Sequence, residues 1–587
     1  MISKRRTTAY LAVLSAGALA LTACGGDGDN EDPGADRTDQ PTDQEGTQPG
    51  TITAAVDADY TAYNDQTATG NGTWNAYVHN GTKKNFWKYD PEGGVLPDEE
   101  FGTFEKTSDD PLTIEYTIGD DTAWSDGEPI DCDDIMLEWA SMSGKTTNAA
   151  GESIFSGAST NGYELIEKPD CEPGDKQFTI VYTDPYIDWQ SIISGGNVPA
   201  HIAAEQGGLT SEELITAIKN DDVAALQPVA DFWNTGWAYN PGELPEDRSL
   251  IPSSGPYLLD SWVGAQSITL KANPDYYGTP PKTETIVLRI LDSDQQVPAL
   301  QNGEIDLMNP ANPTVDTVDQ LAALEGQVTT ETGANLSWSH VDMQMGAGRP
   351  FEKLEVRQAF AKCIPRQLIV DNLIKPTNPD AVTQDLREFF PADEDYESAR
   401  EEAFPEDMFG EQDLAGAEAL LQQAGVTTPL TVRLMHADDP TRNELAALIK
   451  SECDKVGFSI TDFTPPDWGN RLSDDTGSYD AAMFGWAGSG VIASGQSIYV
   501  TAGDQNFYGY SNPEVDELWG QVVTSTEVDA ARELLVQMEA LLWEDVFNVP
   551  LYTNTNLVSY ANGIEGVRLN ASQNGVTFNM SEWSRSS

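Results

Sequence analysis

Basic residues are scarce in this chain of 587 residues. Lys and Arg total 32 against 96 Asp and Glu, a formal net charge of −64. Phosphate backbones are held by basic surface, so no nucleic-acid partner is expected. The acids are spread along the whole chain, which reads first as solubility, suited to a salty habitat, and second as attraction of cationic solutes. Histidine is almost missing. His79, His201, His340 and His436 are scattered and no CxxC occurs, so no zinc pattern forms and no metal site is expected. HExxH, P-loop and GxGxxG signatures are absent, and Ser489 does not sit in a GxSxG elbow. Asp27-Gly28-Asp29 begins like a calcium loop but lacks the central Gly and final Glu. Asp133-Asp134 reads as a solvated pair of acids, not a hydrolytic one. An enzyme is therefore not expected, and neither is a cofactor. Past the N-terminus there is no long apolar run, which removes a membrane-spanning helix. No repeat of 20–50 residues is visible.

What is there begins with an export signal. Lys4, Arg5 and Arg6 form a positive n-region, and Ala9 to Leu21 is uncharged and mostly apolar. Leu21-Thr22-Ala23-Cys24, followed by Gly25-Gly26, resembles a bacterial lipobox, which implies acylation of Cys24. Arg5-Arg6 hints at twin-arginine export, but the rest of that motif is weak, so general secretion is expected. The reading is a signal peptide over 1–23 and a disordered acidic tether over 24–50, rich in Gly, Asp, Asn, Gln, Thr and Pro, which cannot bury enough surface to offset its ordering entropy. The body would then sit on the extracytoplasmic face of a membrane, held by acyl chains at Cys24.

Four cysteines remain: Cys132, Cys171, Cys363 and Cys453. An even number in an oxidising compartment suggests two disulfides, with three connectivities open. Sequence proximity favours Cys132–Cys171 and Cys363–Cys453.

The body mixes strand and helix patterns, so the expected class is α/β or α+β with two or three lobes. Leu112 to Ile118 alternates as a strand, and Asp126-Gly127 within Trp124-Ser125-Asp126-Gly127 supplies a turn. Asp131 caps a helix carrying Ile135, Trp139 and Met142. Phe178 to Tyr182, Ile268 with Leu270, and Ile286, Leu288 and Ile290 alternate as strands, with a turn at Asn273-Pro274-Asp275. Val356 to Phe360 and Leu368 to Leu373 read as short helices. Leu414 to Ala424 reads as a helix with Gly425 at its C-cap. Asn512-Pro513 opens a helix in which Val515, Leu518, Trp519 and Val522 share one face.

The order of these motifs resembles the family 5 extracellular solute-binding proteins, the oligopeptide-, dipeptide- and nickel-binding components of ABC importers. The resemblance rests on Trp124-Ser125-Asp126-Gly127 with Pro129 and Asp134; Pro199-Ala200-His201; Ser254-Gly255-Pro256-Tyr257; Asn273-Pro274-Asp275-Tyr276-Tyr277; Arg289; and Gly303-Glu304-Ile305-Asp306. It continues with Pro350-Phe351, Val356-Arg357-Gln358-Ala359, Arg366, Tyr479-Asp480, Gly485-Trp486, Ser511-Asn512-Pro513 with Asp516, and Pro550-Leu551-Tyr552. Each motif alone is weak, but together they run in order over residues 110–555. The resemblance implies a periplasmic-binding-protein-like α/β fold (type II, cluster C), with two large hinged lobes and a smaller third one. By motif order, 51–85, 189–340 and 555–587 make the first lobe, 86–188 the small lobe, and 341–554 the second large lobe.

It also implies a mechanism. A ligand touching both lobes favours their closure, and a peptide lies extended in the cleft with its main chain recognised. The implied partners are a peptide or other small solute, an ABC permease with its ATPase subunits, and the membrane through the N-terminal lipid; a monomer is expected. Trp486 is the foremost expected ligand contact, as an aromatic pocket wall, with core packing as the alternative. Tyr60, Tyr63 and Asn64 follow the first strand, and Trp338, His340 and Asp342 lie at the crossover. Asn506, Phe507 and Tyr508 are further candidates. The pattern departs from peptide binders at one place. Ser489 stands where the family commonly carries an acid for the peptide α-amino group. Either another acid such as Asp504 serves, or the ligand lacks a free amine, or the solute is different: a sugar or glycolipid head group, a metal chelate or another metabolite. A scaffold or regulator that kept the fold is the remaining reading.

Overall fold

A computed structural model describes residues 46–488 and 490–586. Cys24, with the rest of 1–45, and Ser489 lie outside the described residues. The first strand, Gln48–Val56, starts within the stretch expected as tether. Gln48 is drawn into the sheet by its pairing with Thr283.

Among the described residues, a ten-stranded mixed sheet runs through the molecule. At one end, Gln48–Val56 lies parallel to Thr283–Ile290 and to the short strand Leu307–Met308. At the other, Leu430–His436 lies parallel to Phe458–Phe463 and Ala481–Trp486. Two long antiparallel strands, Val328–Met343 and Asn548–Ala561, belong to both ends. Ser559 and Tyr560 pair with Leu307–Met308, while Trp338 to Met343 pair with Ala481–Trp486. The ladder between the two long strands shifts register between Ala334 and Trp338. Interrupted pairing there leaves the connection between the two ends with its fewest backbone restraints.

A separate three-stranded antiparallel sheet, Gly102–Asp109, Leu112–Ile118 and Gln177–Val181, lies within residues 86–188. Leu112, Ile114, Tyr116 and Ile118 are buried and their alternating neighbours less so, as the period of two demands. Helix Cys132–Met142 opens on a capping box between Asp131 and Asp134. Both favoured disulfides form: Cys132–Cys171 and Cys363–Cys453.

Several motifs turn out to be fasteners between distant segments. Asp134 accepts from the Trp124 indole at 3.3 Å and from the Ala200 N–H at 2.9 Å, and Asp126 pairs with His201 at 3.0 Å. Asp306 accepts from the Thr53 N–H at 2.8 Å, tying two parallel strands. Arg366 donates to the Pro550 carbonyl at 2.9 Å, and Arg433 forks onto Asp480 at 2.8 and 2.9 Å. Gly425 takes the left-handed C-cap, and the Asn512 side chain caps Pro513–Val523. Helices Ala200–Gln206, Ser211–Lys219 and Val223–Thr235 carry no fastening motif of their own beyond Pro199-Ala200-His201 and escape the sequence reading.

Candidate ligand-binding cleft

A cavity of about 440 Å³ lies where three parts of the chain meet. Asp90 to Gly94, the turn of a hairpin between Trp87–Tyr89 and Val95–Pro97, border it on one side, and Leu336 and Trp338 line it at the register shift. Trp486 to Gly488 and Gly490 to Ile492, with Ser494 and Gly495, line one part of it; Arg387, Glu388, Tyr499 and Arg532 line another. A second hollow of about 420 Å³ lies on the opposite face of the crossing strands, lined by Arg442, Tyr552 and Asn554. It contains none of the residues expected from sequence to touch a ligand.

Backbone atoms pack closely along one side of the cavity. Gly490 packs so tightly that a β-carbon there would stand 1.7 Å from the Gly93 carbonyl oxygen, and one at Gly488 would stand 2.2 Å from that of Leu336. Across the same seam the Asp188 carboxylate accepts from the N–H groups of Ile492 at 2.9 Å and Ala493 at 2.6 Å. The Ile187 N–H donates to Val523 O at 2.9 Å. Burial raises the pKa of Asp188, and the two N–H groups work against that rise. The contacts of Gly93, Ile187 and Asp188 join 86–188 to 341–554, so a motion that parts these two segments would break them. Charge-assisted bonds of this kind contribute roughly 1.5–3 kcal/mol. Asp188→Ala is therefore expected to weaken solute binding about 10- to 100-fold while leaving the open form's fold intact. Calorimetric titration of the variant, with its unfolding midpoint as control, checks this.

Trp486 has two sides. One lines the cavity; the other stacks on His340, with centroids 5.9 Å apart and planes at 15°. His340 is fully buried and pairs through Nδ1 with Asp342 at 2.9 Å. Trp338 is nearly buried but contributes to the cavity floor. Tyr508 is buried beneath this layer, and burial, followed by the charge of Asp342, keeps its hydroxyl protonated. Of the expected contacts, then, Trp338 and Trp486 meet in one cavity, with His340, Asp342 and Tyr508 behind them. Tyr63 and Asn64 are elsewhere. The Tyr63 hydroxyl donates to Pro252 O at 2.5 Å under Lys83, and Asn64 donates to Trp233 O at 2.9 Å. Both side chains are buried and fix the segment after the first strand to the backbone of Pro252 and Trp233.

The wall opposite Trp486 was not legible in the sequence. Arg387 is fully buried, donating to Glu539 at 2.9 Å, to Asn548 Oδ1 at 2.7 Å and to Asn548 O at 3.1 Å. It also lies 4.8 Å over the Trp543 ring. This frame sets the direction of the next residue, Glu388, whose N–H donates to Glu539 at 2.8 Å and whose carboxyl turns to the cavity. Burial, with the Glu539 charge second, pushes the Glu388 carboxyl up to about 8.

A model of bacterial extracellular solute-binding proteins, family 5 (middle part), matches residues 97–508. An uncharacterized lipoprotein of Mycobacterium tuberculosis is 27% identical over 549 residues, covering 91% of this chain and 92% of the relative. The oligopeptide-binding protein OppA of the same species is 26% identical over 481 residues, covering 80% and 74%. Among solved structures, the periplasmic EDTA-binding protein EppA superposes with a TM-score of 0.81 at 23% identity, covering 92% of this chain and 97% of that one.

Proposed function

The chain belongs to the family 5 bacterial extracellular solute-binding proteins, and from that premise we propose that it captures oligopeptides in the interlobe cavity and delivers them to an ABC permease with its ATPase subunits. One observation carries the reading. A cavity at the register shift of two crossing strands is walled by three separate parts of the chain, which glycine backbone and Asp188 hold together beside it. Such a site is complete only when the lobes meet, which is what a capture device that closes on its cargo needs. Similarity to an oligopeptide-binding protein over 80% of this chain favours peptide as cargo. In this reading 51–85, 189–340 and 555–587 form one large lobe, 341–554 the other, and 86–188 the small lobe, with the hinge at 334–338. Acylation of Cys24 and the following tether keep a monomer at the outer face of the membrane, an assignment that similarity to mycobacterial lipoproteins supports.

Thermal unfolding against peptides of increasing length tests this. A peptide at a hundred times its dissociation constant is expected to stabilise the protein by about 2.7 kcal/mol. A series in which no peptide of any length moves the midpoint contradicts the cargo.

A further inference from the structure

We propose that Glu388 holds a cationic amine of the captured solute, so that this chain selects solutes carrying a free ammonium group. The proposal rests on the interlobe cavity being the capture site. Among the charges around that cavity, Glu92 is exposed and keeps its hydration. Asp90, Glu92, Glu388 and Asp393 line it against Arg387 and Arg532. Neither guanidinium is free for a ligand anion. Arg387 spends its donors on Glu539 and Asn548, and Arg532 is forked onto Asp395 and reaches Asp393 at 3.2 Å. Asp393 also accepts from the Phe390 N–H at 3.0 Å, and Asp90 from the Gly94 N–H at 2.7 Å.

Glu388 is different. Among the described residues its carboxyl has no hydrogen bond of ordinary geometry and no ion pair. The Tyr499 hydroxyl faces it without reaching that geometry, and Gly495 packs beside it. Ionised, a carboxyl turned into a cavity beside saturated cations is complementary to a positive group; protonated, it is a neutral donor and acceptor. Two further features fit the same head group. Trp338 and Trp486 offer aromatic surface, which attracts a cation through its quadrupole. The Trp486 indole N–H is buried without a partner among the described residues, a donor suited to an acceptor atom close to the ammonium. Ser489 supplies no charge of its own.

The groups facing Glu388 set how it responds. Burial and the neighbouring Glu539 favour its neutral form; Tyr499, Arg387 and Arg532 oppose them, and the balance leaves it protonated up to about 8. Binding an ammonium ionises it, so one proton leaves the protein as the cation arrives. Affinity therefore rises with pH below that value, by about tenfold per unit at most.

Calorimetric titration of wild type and Glu388→Gln tests the inference, with trialanine, N-acetyl-trialanine, spermidine and triacetylspermidine as probes between about pH 5.5 and 7.5. The expected result is that amine probes bind, acetylation and E388Q each weaken binding roughly 10- to 100-fold, and the pH slope vanishes in E388Q while its unfolding midpoint holds. If spermidine behaves so and trialanine does not bind, the amine selectivity stands and the peptide cargo falls. If acetylated and free probes bind wild type and E388Q alike, the selectivity falls and capture stands. If no probe binds wild type, both fall.

Discussion

Glu539→Ala is expected to destabilise the protein by about 3–5 kcal/mol, the cost of breaking a buried ion pair by removing one partner. Glu539 is fully buried on helix Val528–Glu544 and serves three donors: the Arg387 guanidinium, the Arg387 N–H and the Glu388 N–H. Its loss strands a guanidinium that Asn548 cannot neutralise, because an amide oxygen and a carbonyl carry no net charge. Replacing both partners together, Arg387→Met with Glu539→Leu, is expected to recover most of the loss, since packed apolar groups need no compensation. Denaturant unfolding of the two single variants and the double variant checks both statements. A small effect of Glu539→Ala would mean that the wall beneath Glu388 is held by packing alone.

Gly490→Val is expected to abolish solute-induced closure, weakening binding more than about 100-fold. The β-carbon would meet the Gly93 carbonyl at 1.7 Å and its carbonyl carbon at 2.6 Å. Both are backbone atoms of the facing lobe, so no rotamer change relieves the overlap, and closure is blocked unless a loop is rebuilt. The open form loses nothing by the change, so the unfolding midpoint without solute is expected to match wild type. Titration calorimetry together with the radius of gyration from solution scattering, with and without peptide, measures the two effects separately. Unaltered affinity would show that Gly490 and Gly93 do not meet when solute is bound.

The parts of the molecule that could be read from sequence share a physical trait. Gly127, Asp131, Gly425 and Asn512-Pro513 act through local turn and cap chemistry, which depends on near neighbours in the chain. The order of such fasteners was enough to point to the family and its fold. The crossing strand Val328–Met343 was not legible because its first half is half-exposed and polar, with no alternation to mark it. Tyr63 and Asn64 sit among the residues that follow the first strand, but whether a side chain there turns to a cleft or to Pro252 and Trp233 is decided by segments far away in sequence. Trp486 stood out because Gly485-Trp486 resembles a segment of the family that lies near its ligand. Glu388 and Asp188 did not stand out. In a chain with 96 acids, these two differ from the rest only in their three-dimensional surroundings.

Native mass spectrometry of the protein purified from its own cells reads capture itself. A population carrying one solute is expected, released on unfolding, bearing a free amine and absent from the same preparation of Gly490→Val. A protein that carries no solute, or one retained undiminished in Gly490→Val, would contradict capture in the interlobe cavity.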